Sequence, residues 1–165
     1  SATVAYFRPL NDTWQANFDT TVFYSEGNPA SGGVPAVPSP GTDFFFSAGL
    51  YGNNVLRDRD VVSSTFRYAN TSASTLYLLD SYYRFQTGPA GKLRVRPRMK
   101  LGYRELHSTG GHEILAFPSV SADYAFDDKT SGEIEVGDRF TVTRQSGTKL
   151  SASELFVFLG VRRDF

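Results

Sequence analysis

The sequence predicts an all-β protein: an antiparallel up-and-down transmembrane β-barrel, with about eight strands between Thr13 and Phe165. Three observations lead there. Apolar and polar residues alternate with period two in run after run, while the i, i+3, i+4, i+7 spacing of an amphipathic helix is hard to assemble anywhere. Most runs reach ten residues or more, longer than the five or six typical of globular strands and close to the roughly 9–11 that a tilted membrane strand needs. Aromatic residues reach 15%, with 14 Phe and 9 Tyr.

The runs follow one another along the chain. "TWQANFDTTVFYS" sets Trp14, Ala16, Phe18, Thr20, Val22 and Tyr24 against Gln15, Asn17, Asp19 and Thr21. "DFFFSAGLYG" sets Phe44, Phe46, Ala48 and Leu50 against Phe45, Ser47, Gly49 and Tyr51. "RDVVSSTFRYA" gives Val62, Ser64, Phe66 and Tyr68 on one side, and "STLYLLDSYYRFQ" gives Thr75, Tyr77, Leu79, Ser81, Tyr83 and Phe85. In "LRVRPRMKLGYRE" the odd positions are apolar (Leu93, Val95, Pro97, Met99, Leu101, Tyr103) and the even ones basic. "ILAFPSVSADYAF" and "GEIEVGDRFTVTR" continue with Ile114, Ala116, Pro118, Val120, Ala122 and Tyr124, then Ile134, Val136, Phe140 and Val142. Three residues fit poorly. Pro97 and Pro118 each remove a ladder donor and are expected at bulges or an edge. Asp138 falls on the apolar side, which calls for a bulge at Gly137 or an interfacial position.

Composition narrows the classes. Lys+Arg and Asp+Glu balance at 17 each, so no overall charge favours nucleic acid. With no Cys there is no disulfide framework, thiol nucleophile or Cys zinc site. No apolar run is long enough for a transmembrane helix. The mean hydropathy of −0.30 does not argue against a barrel, because averaging erases an alternating signal.

The organisation expected is an N-terminal strand or tail over 1–12 and a barrel domain over 13–165 with a long Pro/Gly/Ser-rich external loop at 27–42. "ATVAYFRP" alternates like a further strand, and a ninth strand would break the even count of single-chain bacterial barrels. Residues 1–165 are therefore either a barrel with a tail or the C-terminal portion of a larger barrel. Short turns at "TGPAGK" and "DDKTS" share the end of the sheet that holds Phe165, and longer loops are expected at the other end.

One constellation carries chemistry: the basic stripe Arg94, Arg96, Arg98, Lys100 and Arg104 on a single strand face. Cations at this spacing, about 7 Å apart, need neutralising in a dry interior. Asp19, Asp80, Asp123, Glu135 and Glu154 are the candidate interior acids. Paired with them, the stripe would fill a closed eight-stranded lumen, which has room only for side chains. Left wet in a wider barrel, it would make a cationic wall that favours anions.

The chain ends "ELFVFLGVRRDF", with Leu155, Val157, Leu159 and Val161 alternating before Phe165 and Gly160 among them. This ending resembles the C-terminal assembly signal of bacterial outer-membrane β-barrel proteins, departing from it at Arg163, where that family usually has an aromatic or apolar residue. The resemblance implies a bacterial outer-membrane location, contact with outer-membrane lipid, and recognition of Phe165 by the barrel-assembly machinery. "RDRDVVSSTFRYAN", "LRVRPRMKLGYRE", "ADYAF" and "LGVRRDF" are also similar to the C-terminal barrel ends of tetratricopeptide-repeat export porins. Together these imply a channel or export-conduit component with a partly cationic lumen. Further strands or chains are expected to widen the wall. The alternative is a small closed structural or adhesive barrel whose external loops bind partners.

Other readings find less support. A soluble β-sandwich or lipocalin-like barrel would make the aromatic face a core. His107 and His112, with Glu105 and Glu113, are metal-ligating types, but loop histidines are commonly just solvated. No G-x-S-x-G element and no phosphate-binding loop is present, so no catalysis and no cofactor are expected.

Overall fold

The computed structural model describes residues 1–27, 41–145 and 147–163. They form nine strands: β1 (Ala2–Pro9), β2 (Trp14–Ser25), β3 (Gly41–Asn53), β4 (Val61–Asn70), β5 (Ser74–Thr87), β6 (Leu93–Leu106), β7 (Gly111–Ala125), β8 (Thr130–Gln145) and β9 (Thr148–Arg163). They make one sheet in sequence order, and every neighbouring pair is antiparallel. A 3-10 turn at Pro89–Gly91 is the only helical element among the described residues.

The eight strands expected between Thr13 and Phe165 are β2–β9, and the N-terminal stretch adds a ninth. Residues 2–9 are a strand because their alternation matches that of β2: Tyr6 pairs with Phe18, and their rings lie 5.2 Å apart. The sheet is also not a closed barrel. β1 and β9 are its two edges, unpaired with one another. In an up-and-down meander of nine strands the first and last run the same way. The antiparallel ladder that joins every other pair therefore cannot join these two.

The ladder is strongly staggered. A row of directly paired residues starting at Ala16, near the beginning of β2, passes through Leu50, Ser64, Ser81 and Met99 to Pro118, at the middle of β7. Strands inclined to the turns produce such a stagger, and a sheet that curves toward a barrel needs it. The prolines sit neither at bulges nor at an edge. Pairing is interrupted between Tyr82↔Arg98 and Phe85↔Val95 beside Pro97, and between Ala116↔Phe140 and Ser119↔Gly137 beside Pro118. The register is the same on both sides of each gap. Each proline thus costs its missing donor on one side of the strand and nothing in register. Asp138 likewise sits in an unbulged β8.

The connections depart from the expected pattern. The end holding the β9 terminus carries the turns 10–13, 54–60, 88–92 and 126–129. The other end carries 26–40, but also the very short 71–73, 107–110 and 146–147. Length asymmetry therefore rests on one loop, of which 28–40 lie outside the described residues. Gly41 and Thr42, expected in that loop, open β3.

A core is missing. Val61 is the only buried hydrophobic residue among those described. Every strand instead carries exposed large apolar side chains, from Val4 and Tyr6 on β1 to Leu155 and Val161 on β9. Each forgoes the roughly 1.5–3 kcal/mol that full burial would contribute.

Candidate functional site

The two faces of the sheet are the candidate sites. Cross-strand pairing puts Val22, Phe44, Phe66, Leu79, Leu101, Ile114, Val136, Val157 and Leu159 on one continuous apolar face. Near the end bearing the 71–73 and 107–110 loops, rings follow one another across five strands. Phe44 lies 5.9 Å from Tyr68, Tyr68 5.2 Å from Tyr77, Tyr77 6.3 Å from Tyr103, and Tyr103 5.9 Å from His112. Toward the other end lie Tyr83 with Phe85 (5.3 Å) and Tyr124 with Phe126 (5.2 Å). From Tyr77 to Phe85 the chain advances roughly 26 Å along β5 at about 3.3 Å per residue. At the tilt of about 35–45° usual in membrane barrels that path rises roughly 20 Å, on the scale of the apolar band of about 25 Å between their aromatic girdles.

Polar groups on this face are mostly satisfied in place. The Ser64 and Ser81 hydroxyls share a hydrogen bond of 2.8 Å, and the Ser153 hydroxyl donates to the Asp138 carboxylate at 2.9 Å.

The opposite face holds the basic stripe, and most of it is paired. Arg98 makes a two-pronged contact with Asp80, its Nε donating to Oδ1 at 2.8 Å and its Nη2 to Oδ2. Lys100 Nζ lies 3.9 Å from the same carboxylate. Arg96 reaches over β7, donating to Ser121 Oγ at 3.0 Å on the way to Glu133 on β8 at 3.8 Å. Arg104 pairs with Glu113 at 3.3 Å. Arg94 is opposite Asp123 in the ladder but has no ionic partner among the described residues.

Of the expected acids, then, Asp80 meets the stripe directly and Asp123 meets it in register. Glu154 pairs with Arg139 instead, at 3.6 Å. Glu135 faces Ser121 and Phe158 in the ladder and is near enough to Arg98 to act on it through its charge, while Asp19 lies on β2 between Ala5 and Ser47, four strands from the stripe. Glu113 and Glu133, which complete the pairing, were not among the expected acids. Glu113 could have been found by folding the 107–110 turn as a hairpin and reading off the residue opposite Arg104; Glu133 could not, because the 126–129 hairpin sets it opposite Asp123 and its pair with Arg96 skips β7.

An aromatic cluster on the same face also went unread. Phe117 on β7 and Phe156 on β9 stack at 5.3 Å with planes 9° apart, over the intervening β8. Gly137 makes this possible, because a Cβ there would lie 2.4 Å from Phe156 Cε1 and 2.7 Å from Ser119 Cβ. Lys100 and Arg139 lie 5.8 and 5.7 Å from the Phe117 ring centre. Contacts that skip a strand on this face agree with its being the concave one.

Three of the four turns at the β9-terminal end are held by Asx side chains. Asn11 Oδ1 accepts from the backbone N–H groups of Thr13 and Trp14, and Asp127 Oδ1 from those of Lys129 and Thr130. Asp60, 1% exposed, accepts from Val55, Leu56 and Arg57 N–H at 2.7–2.9 Å and from the Tyr83 hydroxyl at 3.0 Å. Burial pushes the Asp60 carboxyl up, but these four donors together hold it below the usual carboxylate range.

The metal-ligating types do not converge. His107 bonds the Thr75 hydroxyl at 2.9 Å and Glu113 pairs with Arg104, while Glu105 and His112 face each other on the apolar side of β6 and β7. In the terminal stretch Leu155, Val157, Leu159 and Val161 share the apolar face of β9, Gly160 lies on the other, and Phe165 is outside the described residues. Comparison with protein families, with curated proteins and with solved structures returned no match.

Proposed function

We propose that the chain forms part of the wall of a bacterial outer-membrane β-barrel and serves as a channel or export-conduit component. The observation that carries this reading is the continuous apolar face, without a core behind it and bordered by aromatic rings at two levels. A soluble sandwich would need a second sheet to cover that face, and all nine strands belong to one sheet. Lipid covers it without further protein, and the rings suit the two interfaces. The opposite face, with its ion pairs, then borders the lumen. Most of the stripe is neutralised in place, which supports a nearly charge-balanced wall, with Arg94 the one stripe cation that makes no direct ion pair among the described residues. Assembly would proceed through recognition of Phe165 by the barrel-assembly machinery, as the terminal resemblance implies.

Reconstitution into planar bilayers of the complete barrel, purified from the membrane together with the strands that adjoin this sheet, tests the reading. It should give steady conductance with a weak anion preference that Arg94→Gln reduces. A complete barrel that conducts nothing would contradict the conduit and favour the small structural barrel.

A further inference from the structure

We infer that the wall is completed by an odd number of antiparallel strands from outside this nine-stranded sheet, and not by β1 meeting β9, within one chain or between copies. The inference rests on the membrane reading above. Direction supplies the first reason. Strands β1 and β9 run parallel, since eight reversals separate them. Copies inserted with the same ends facing the same side of the membrane would meet β9 to β1 and produce a parallel seam each time. Inverting alternate copies would restore antiparallel pairing, but it would put equivalent loops on both sides of the membrane. Only an odd number of intervening strands keeps every seam antiparallel, and it makes the total even.

The character of the β9 edge gives a second reason. Natural edges are blunted by proline, bulges, inward charges or short length. β9 has no proline, keeps an unbroken register with β8, and exposes Leu155, Leu159 and Val161 by 70%, 73% and 80%. An edge this long and regular fits a neighbour of similar length. That neighbour would run parallel to β8 and alternate apolar and polar residues, with its apolar side continuing the row of Leu155, Val157 and Leu159.

Because the chain has no cysteine, the seams can be tested by engineered disulfides in the lipid-inserted protein. Ala5→Cys is combined in turn with Ala152→Cys, Glu154→Cys and Phe156→Cys, and oxidised. No β1–β9 disulfide is expected, either within a chain or between chains. Electron microscopy of the assembled barrel should show an even strand total, with an odd number between β9 and β1. A disulfide in any of the three pairs, or an odd total, would overturn the inference. Quenching of Trp14 fluorescence by brominated lipid is read on the same samples. Quenching together with a β1–β9 disulfide sinks the odd-strand inference and leaves the membrane reading standing; absent quenching sinks the membrane reading itself.

Discussion

At the scale of single residues, the turn around Asp60 shows how a sheet without a core still specifies its register. One carboxylate gathers three backbone N–H groups and a tyrosine hydroxyl, fixing 54–60 where Asn54 and Arg59 take positive φ. Its folded-state acidity is raised relative to an ordinary carboxyl, so its contribution to stability is complete above the unfolded value of about 3.9. That contribution is lost as pH falls through the still lower folded value. Urea unfolding between pH 6 and pH 3 should therefore show a loss of stability on acidification that is smaller in Asp60→Asn, which should also be less stable at pH 6. Gly137 presents the opposite case, a residue needed for what it lacks. Gly137→Ala should push Phe156 off Phe117 and cost about 1–3 kcal/mol, measurable as a lower unfolding midpoint. The sequence offered a signal for Asp60 and Asp127, each an Asx at a strand junction. It offered none for Gly137, whose role depends on rings two strands apart.

At the scale of elements, period-two alternation marked eight of the strands, and the alternation in "ATVAYFRP" pointed to the ninth. Which acid meets which cation was less legible, because a pair such as Arg96 with Glu133 skips a strand and depends on curvature. Asp80 is the anchor of the stripe: its side chain is 13% exposed and faces both Arg98 and Lys100. Arg98→Gln should cost about 1–3 kcal/mol by leaving that carboxylate short of donors. Arg94→Gln should be nearly neutral, and adding Asp80→Asn to Arg98→Gln should recover much of the loss. Chemical unfolding of the three variants measures this, and equal effects at Arg94 and Arg98 would contradict it. On the terminal strand, removing Phe165 should reduce the amount of folded barrel in the outer membrane without reducing synthesis. Comparing membrane-assembled with total protein checks the terminal resemblance directly.

At the scale of the whole molecule, the sequence pointed to an up-and-down antiparallel sheet but also to a closed barrel, and the sheet is open. Alternation reports which side of a strand is apolar and nothing about whether the last strand meets the first. Parity decides that, and the ninth strand changes it. What covers the apolar face is the claim on which the proposed function depends. Spin labels attached to single cysteines along β5 test it most directly, in protein reconstituted into lipid vesicles. Labels at Tyr77, Leu79 and Ser81 should be reached by oxygen dissolved in the bilayer and shielded from a water-soluble nickel reagent. Labels at Leu78, Asp80 and Tyr82 should show the reverse. Water-soluble reagent reaching both sets alike, with no period of two, would contradict a lipid-facing wall.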